Sequence, residues 1–383
     1  MDKTTVGNLC KPYIGQLKLD DNTLIDYFDI ASVDNIEKQI TGYTTYKFAE
    51  APSRARKKVE KGNILVSTVR PNLNAVALFD EETENMPVAS TGFCVLECKA
   101  NTSPRFLFRY LQSQSFVRAM VSQATGASYP AVSDKIVRDT KLPAYSYEEQ
   151  IQIANVLDAT ANIISKRKHQ LQKLDELVKA RFVEFFGDMV YNQNGWKMVN
   201  LGSVCDVRDG THDSPKYFSE GYPLVTSKNV TSGRIDFAGC SLICKEDYDK
   251  INERSRVDFG DILMPMIGTV GKPVIVDVDV DFAIKNVALI KFYENSMVIN
   301  FFVRALLQSD YFDHAVISKI RGGTQKFIAL SDIRKLEIYL PPMDIQKKFA
   351  AFVEQTDKMK AAVQKALDEA QLLFDSLMQK YFE

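Results

Sequence analysis

The chain has 383 residues, which predicts two or three folded domains at about 150 residues each. Hydrophobic residues make up 45% of it and charged residues 25%, which excludes an intrinsically disordered chain and predicts a folded, soluble protein. The net charge of -1 argues against a protein that coats nucleic acid, so any basic surface must be local.

The sequence pattern of the first half of the chain changes once, from β-rich to helical. Residues 1–147 carry short β-rich runs broken by Gly, Pro, Asn and Asp, with shorter helical patches, which predicts an α+β domain. Residues 148–187 then contain no Pro and no interior Gly, and apolar residues recur every seven positions. This pattern predicts one long helix with a heptad seam.

The second half shows the same change. Residues 188–343 are again β-rich, and residues 344–383 again predict one long helix. Equal length, equal position and complementary apolar stripes favour pairing of the two helices with each other, while two separate amphipathic helices are the alternative. The predicted pairing and partner-interface residues are Leu157, Ile164, Leu171, Leu174 and Val178 in the first helix, and Phe352, Met359, Val363, Leu373 and Leu377 in the second.

The two halves are copies of one unit. Val6–Cys10 aligns with Leu201–Cys205 at an offset of 195 residues, and the closing segments 177–186 and 373–382 align at an offset of 196. Two related domains held apart by helices of roughly 58 Å suit a bipartite target, and duplex DNA read as two half-sites is one. A bivalent protein-binding adaptor has the same layout, so it remains the alternative.

Several motifs carry a family resemblance. The second domain contains the segments 195–202, 209–217 and 223–230, followed by 260–263, 267–271 and 340–342 with Gln346. Together with the order domain, long helix, domain, long helix, they resemble the specificity subunit of type I restriction-modification enzymes over the whole chain. The first domain departs from the pattern, because no Trp precedes Val6 and no Asp-Gly-Thr-His occurs in it.

The resemblance implies a fold and a division of labour. The fold is α+β, with two tandem repeated α/β target-recognition domains, 1–147 and 188–343, separated by two long helices, 148–187 and 344–383, that form an antiparallel coiled coil. Each domain reads one half of a split, asymmetric DNA target. The helices dock two methyltransferase subunits, which bind S-adenosylmethionine, and restriction subunits, which use ATP and Mg, join the assembly.

The residues themselves offer little for catalysis. The strings nearest to the methyltransferase motif, 340–343 and 142–145, lack the required Asn or Asp before Pro-Pro. The segment 268–272 is not a phosphate loop, since Met266 occupies the position of its first Gly. Six cysteines are too few for a disulfide scaffold, and no His cluster accompanies them for zinc. We therefore expect no catalytic residue, metal or cofactor in this chain.

Location follows from two further absences in the sequence. It has no run of about 18 apolar residues and no apolar segment near its start, so we expect a cytoplasmic protein without a membrane span.

Candidate DNA contacts are basic and polar side chains in predicted loops. Residues 54–58 form the densest basic patch, for which a solvated turn is the alternative, and Arg70 follows an apolar run at a strand end. The loops 126–129 and 323–327 recur at the same place in both units, and His212 has a structural cap as its alternative role. The candidates are Arg54, Arg56, Lys57, Lys58, Arg70, Asn72, Ser128, Tyr129, Thr211, His212, Lys228, Asn229, Thr269, Lys285, Arg321, Gln325 and Lys326.

Overall fold

The computed structural model describes residues 2–12, 17–230, 233–266, 272–317 and 327–383. The chain divides into two compact units, of which unit 1 contains Met1–Lys168 and Lys365–Glu383 and unit 2 contains His169–Gln364. In the part of the chain that is described, no helix combines the length and the apolar character needed to cross a membrane. The predicted limits of the two domains stay predictions.

Unit 1 mixes short strands with short helices. Its strands are β1 Lys3–Thr5, β2 Leu24–Phe28, β3 Val33–Asp34, β4 Gln39–Ile40, β5 Thr44–Lys47, β6 Ala55–Lys58, β7 Ile64–Ser67, β8 Val76–Leu78, β9 Met86–Ser90, β10 Phe93–Leu96 and β11 Lys141–Pro143. Its helices are α1 Val6–Leu9, α2 Pro104–Tyr110, α3 Gln114–Gln123, α4 Asp134–Asp139 and the start of α5 Tyr147–Phe186. The hydroxyls of Ser103, Ser113 and Ser133 cap α2, α3 and α4 by accepting backbone N–H groups.

Unit 2 has the same mixture. Its strands are β12 Met198–Asn200, β13 Cys205–Asp209, β14 Tyr222–Thr226, β15 Ser241–Ile243, β16 Ile262–Pro265, β17 Val274–Ile275, β18 Ala283–Lys285, β19 Val287–Phe292 and β20 Glu337–Tyr339. Its helices are α6 Lys245–Ser255, α7 Asn300–Leu307, α8 Asp310–Ala315, α9 Leu330–Arg334 and the start of α10 Met343–Phe382.

The strand pairings of the two units correspond, which confirms the internal repeat. In unit 1 the fully buried β7 lies between β10 and β8, and in unit 2 the fully buried β16 lies between β19 and β17. Among the described strands, each unit also contains a parallel pair, β2 with β9 and β14 with β18. Each closes with an antiparallel pair between its first strand and the strand that precedes its long helix, β1 with β11 and β12 with β20.

Equivalent glutamines anchor the two long helices. Gln150 near the start of α5 is buried, and its amide accepts from Ser103 N–H (3.0 Å) and donates to the Tyr145 carbonyl (3.0 Å). Gln346 near the start of α10 is buried too, accepts from Ile299 N–H (3.0 Å) and donates to the Met297 and Pro341 carbonyls (2.9 Å each). Both side chains satisfy backbone groups where a helix meets its domain.

The long helices pair within each unit. In unit 1, Leu157 near the start of α5 shares a core with Met378 and Phe382 at the end of α10. In unit 2, Phe182 near the end of α5 contacts Phe349 near the start of α10, with ring centroids 5.8 Å apart. Early residues of one helix thus meet late residues of the other, which is the antiparallel arrangement.

The five predicted pairing residues of α5 are all at least half-buried. Leu157, Ile164 and Val178 are buried, and Leu171 and Leu174 are half-buried.

Two of the five predicted pairing residues of α10 are exposed, and the residue after each of them is less exposed. Val363 is buried and Leu377 and Phe352 are half-buried, but Met359 is 42% exposed and Leu373 54% exposed. The prediction that Met359 and Leu373 pair the helices is therefore wrong, because the following residues, Lys360 and Phe374, turn inward instead. A role of Met359 and Leu373 in binding a partner subunit stays a prediction.

Candidate nucleic-acid interface

In unit 1 a tight turn presents Arg70 to solvent. The buried strand β7 ends at Ser67, and Pro71–Leu73 forms one turn of 3-10 helix with Pro at its start. Arg70 enters this turn with a left-handed backbone (φ 51°), and its N–H donates to the Pro130 carbonyl (2.7 Å). The side chain of Arg70 is consequently directed away from the core and is exposed.

The second candidate loop of unit 1 lies beside this turn. Isolated bridges pair Ala131 with both Val69 and Thr125. They bring Tyr129 next to Arg70, whose guanidinium carbon is 5.0 Å from the centroid of the Tyr129 ring. Both side chains are exposed, so a cation and an aromatic face are available together. Of the other two candidates in these loops, Asn72 and Ser128 are also exposed.

The basic patch of β6 is divided by the alternation of the strand. Arg54, just before it, and Lys58 are exposed, and Lys58 is 2.5 Å from Glu60. Arg56 is half-buried, and its guanidinium carbon lies 4.8 Å from the centroid of the Phe48 ring.

Lys57 has a different environment from its neighbours. It is only 9% exposed, and its ammonium group donates to the Phe93 carbonyl and to the Asp134 carboxylate, both at 2.6 Å. This contradicts the prediction that Lys57 contacts DNA, because its charge is used to connect β6 with β10 and α4.

In unit 2 the candidates Thr211 and Lys285 are neighbours. They form an isolated parallel bridge, and Lys285 donates to the Ser214 hydroxyl at 2.5 Å. Gly210 permits this approach of the two segments, since a Cβ there would lie 2.1 Å from the Ile284 carbonyl oxygen.

His212 is held between two oxygen acceptors. Its Nδ1 lies 2.7 Å from Asn286 Oδ1, and its Nε2 lies 2.9 Å from Asp209 Oδ2. The hydrogen bond to Asn286 raises the pKa of the His212 imidazole most, Asp209 adds to the rise, and partial burial opposes it. Arg254 of α6 donates to the other Asp209 oxygen at 2.5 Å. With both ring nitrogens facing oxygen atoms, the arrangement favours the protonated imidazole, in agreement with the raised pKa of His212.

The turn 227–230 completes this cluster. The Ser227 hydroxyl donates to the Asn286 carbonyl (3.0 Å), and the neighbouring Lys228 is exposed. Asn229 is buried, and its Oδ1 accepts from the Thr226 N–H (2.9 Å) and hydroxyl (2.8 Å). The prediction that Asn229 contacts DNA is contradicted, because its amide closes the turn.

Four candidates, Thr269, Arg321, Gln325 and Lys326, lie outside the described residues. Two residues that contribute to these clusters, Arg254 and Lys38, are not among the candidates predicted from the sequence. Arg254 is 45 positions from its partner Asp209, and Lys38 lies close to the turn after Arg70 without any basic neighbour to mark it. Each carries a sequence signal only as one charged residue among many.

The comparisons with known proteins agree with this architecture. A family model described as the type I restriction modification DNA specificity domain matches residues 6–176 and 193–370. The chain belongs to this family. The two matches correspond to the two copies of the repeat, each including most of a long helix.

Similar proteins bear related names. The type I restriction enzyme MjaIX specificity subunit of Methanocaldococcus jannaschii is 23% identical over 84% of this chain and 76% of its own length. A chain from a structure described as the basis of complex assembly and conformational transition of the type I R-M system has a TM-score of 0.57 and 24% identity over 99% of this chain and 97% of that one. The type I restriction-modification S subunit from M. genitalium has a TM-score of 0.61 and 15% identity over 100% and 96%. The last two likenesses show the fold.

Proposed function

We propose that this chain is the DNA specificity subunit of a type I restriction-modification system and binds a bipartite, asymmetric DNA sequence. The observation that carries the proposal is the duplication of a DNA-specificity family domain, in which the described residues of each copy expose a polar and basic cluster. A repeated scaffold with two different reading surfaces suits a target whose two halves differ.

In unit 1 the pair Arg70 and Tyr129 is the proposed reading element. An arginine can donate two parallel hydrogen bonds to O6 and N7 of guanine in the major groove. The ring of Tyr129 restricts the motion of the guanidinium group through a cation–π contact, which lowers the entropy lost on binding. Arg54, Asn72 and Ser128 complete the proposed surface, with Arg54 directed to a phosphate.

In unit 2 the proposed surface combines Lys285, Thr211, His212 and Lys228. The His212 side chain is 60% exposed although both ring nitrogens are engaged. Its protonated form contributes charge to phosphate binding, while Lys285 and Thr211 contact bases or phosphates. Thr269, Arg321, Gln325 and Lys326 remain proposed contacts from the sequence alone.

The long helices are the proposed docking surface for two methyltransferase subunits. On α5 the side chains of Val156, Ile163 and Leu177 are exposed and separated by seven or fourteen residues, so they repeat on one heptad position outside the seam. Met359 and Leu373 are exposed on α10 and belong to the same proposal. The methyltransferase subunits bind S-adenosylmethionine, restriction subunits use ATP and Mg, and the whole complex acts in the cytoplasm.

The experiment is selection of bound duplexes from a random library by the full chain, alone and with its methyltransferase partner, followed by sequencing. We expect a split consensus with two defined blocks and an undefined spacer. Arg70→Ala should relax one block only, by about 1–3 kcal/mol at one base pair, whereas Lys61→Ala, which removes an exposed ion pair with Asp80, should leave both blocks intact.

Two outcomes count against the proposal. A single continuous consensus would exclude bipartite reading, and the absence of any consensus in the presence of the partner would exclude the DNA-specificity function. Affinity should also fall steeply with salt, since phosphate contacts release counterions.

A further inference from the structure

The turn that carries Arg70 has a strained backbone at both ends. Arg70 and Asn74 both adopt left-handed conformations, with φ of 51° and 47°. Residues with a Cβ rarely adopt this conformation, and such residues persist only where the surroundings hold them. Neither residue is glycine, so contacts with neighbouring residues are needed to hold Asn74 in this conformation as well as Arg70.

Lys38 holds the far end of this turn. From the β3–β4 hairpin, its ammonium group donates to the Asn74 carbonyl at 2.5 Å and to Asn74 Oδ1 at 3.0 Å. The Asn74 amide nitrogen in turn donates to the Leu111 carbonyl (2.9 Å), and Asn35 of the same hairpin donates to the Leu73 carbonyl (3.3 Å). Hairpin, turn and the end of α2 are thereby joined through Asn74.

The contact between Lys38 and Asn74 differs from an exposed surface ion pair in its partial burial. Lys38 is only half-buried, yet its partial burial lowers the pKa of its ammonium group to about 8, with Asp34 opposing the shift. The neighbouring acid Glu37 is directed to Lys168 instead, at 2.8 Å. Both of these hydrogen bonds of the Lys38 ammonium group go to Asn74.

We propose that Lys38 is a positioning residue that fixes the turn 70–74 in the conformation from which Arg70 reads the first half-site. The proposal rests on the proposed function. Lys38 acts through the backbone of the turn and needs no contact with DNA. Loss of its two hydrogen bonds leaves Asn74 free to leave the left-handed region, which redirects Arg70 at the other end of the turn.

The test compares the full-length wild-type chain with Lys38→Met, Lys38→Arg, Arg70→Ala and the double variant Lys38→Met/Arg70→Ala. Each binds duplexes that carry the target selected by the wild type, with base substitutions in one half at a time. Lys61→Met, which removes an exposed lysine of the same unit, is the matched control.

We expect Lys38→Met to lower discrimination in one half-site by about tenfold, as Arg70→Ala does, and to leave the other half-site unchanged. Lys38→Met should add nothing to Arg70→Ala, because two residues that act through one contact are not additive. Lys38→Arg should restore most of the discrimination, since its guanidinium also donates to carbonyl oxygens.

Different outcomes overturn different claims. If the wild type prefers no bipartite sequence, the proposed function falls and this inference with it. If it does, but Lys38→Met keeps full discrimination, weakens both halves equally or adds its effect to that of Arg70→Ala, only the positioning role falls. Should Lys38→Met fail to fold, Lys38→Gly decides: residue 38 itself has a φ of 57°, which glycine accepts, so the variant should fold without the two hydrogen bonds and lose discrimination in the same half. Unchanged discrimination in that variant overturns the role.

Discussion

The end of α10 offers a sharp test of how the long helices stabilise unit 1. The Phe382 side chain is 3% exposed, and its ring centroid lies 5.5 Å from that of Phe106 and 5.6 Å from that of Tyr110. Replacing it with alanine removes about 1.5–3 kcal/mol of burial free energy, together with two aromatic contacts of about 0.5–1.5 kcal/mol each, and leaves a cavity. We expect Phe382→Ala to lower the free energy of unfolding of unit 1 by about 3–5 kcal/mol.

The measurement must separate the two units, because a chain with two compact units does not unfold in one step. Amide hydrogen exchange during denaturant titration does so, with amides of α2 reporting on unit 1 and amides of α7 on unit 2. Leu373→Ala on the same helix is the control, and its exposed side chain should cost no more than about 0.5 kcal/mol. A loss below about 1 kcal/mol for Phe382→Ala, or equal losses for both variants, would refute the packing of the α10 end into the core of unit 1.

Three further predictions concern unit 2. Val363→Lys places an ammonium group in the buried seam, so it should destabilise unit 2 by more than about 2 kcal/mol in the same exchange experiment; an unchanged stability would show that the seam is open there. Asn229→Ala should cost about 1–3 kcal/mol, because the Thr226 N–H and hydroxyl lose their acceptor, and a change in DNA preference without any loss of stability would contradict its structural role. NMR titration should give His212 a pKa above 6.5, and this pKa should fall in Asp209→Asn. The stabilisation from protonated His212 is complete below the pKa of the unfolded chain and is lost as pH rises through the raised pKa of the folded chain. A measured pKa below 6.5 would refute the hydrogen bonds assigned to His212.

The seam of α10 shows where sequence reasoning reaches its limit. The sequence predicts one long helix with an apolar stripe, and Val363 of that stripe is buried. The sequence does not predict which neighbouring residue faces the other helix. Met359 is more apolar than Lys360, yet Lys360 is the less exposed of the two. The Lys360 side chain is 25% exposed and its ammonium group lies 2.6 Å from Asp175 of α5, a partner that the local sequence around Lys360 does not indicate.

The candidate DNA contacts likewise include residues whose exposure the local sequence predicts and residues for which it does not. A strand followed by a polar turn was enough to place Arg70 at an exposed strand end, because the strand signal and the turn signal are both local. The same local reading was misleading for Lys57, whose inward direction depends on Asp134, a residue 77 positions away. The proximity of Arg70 to Tyr129 also depends on tertiary pairing, through the bridge of Val69 with Ala131.

The comparison of the two units separates what the scaffold requires from what the target requires. Buried Gln150 and Gln346 occupy equivalent positions and make equivalent bonds, so the joint between domain and helix is the same in both units. Among the described residues, unit 1 exposes an arginine on a tyrosine ring, and unit 2 exposes a histidine between two oxygens at a different place in the repeat. The repeated framework is therefore established by buried residues, whereas the proposal of unlike half-sites rests on exposed side chains that the binding experiments test one unit at a time.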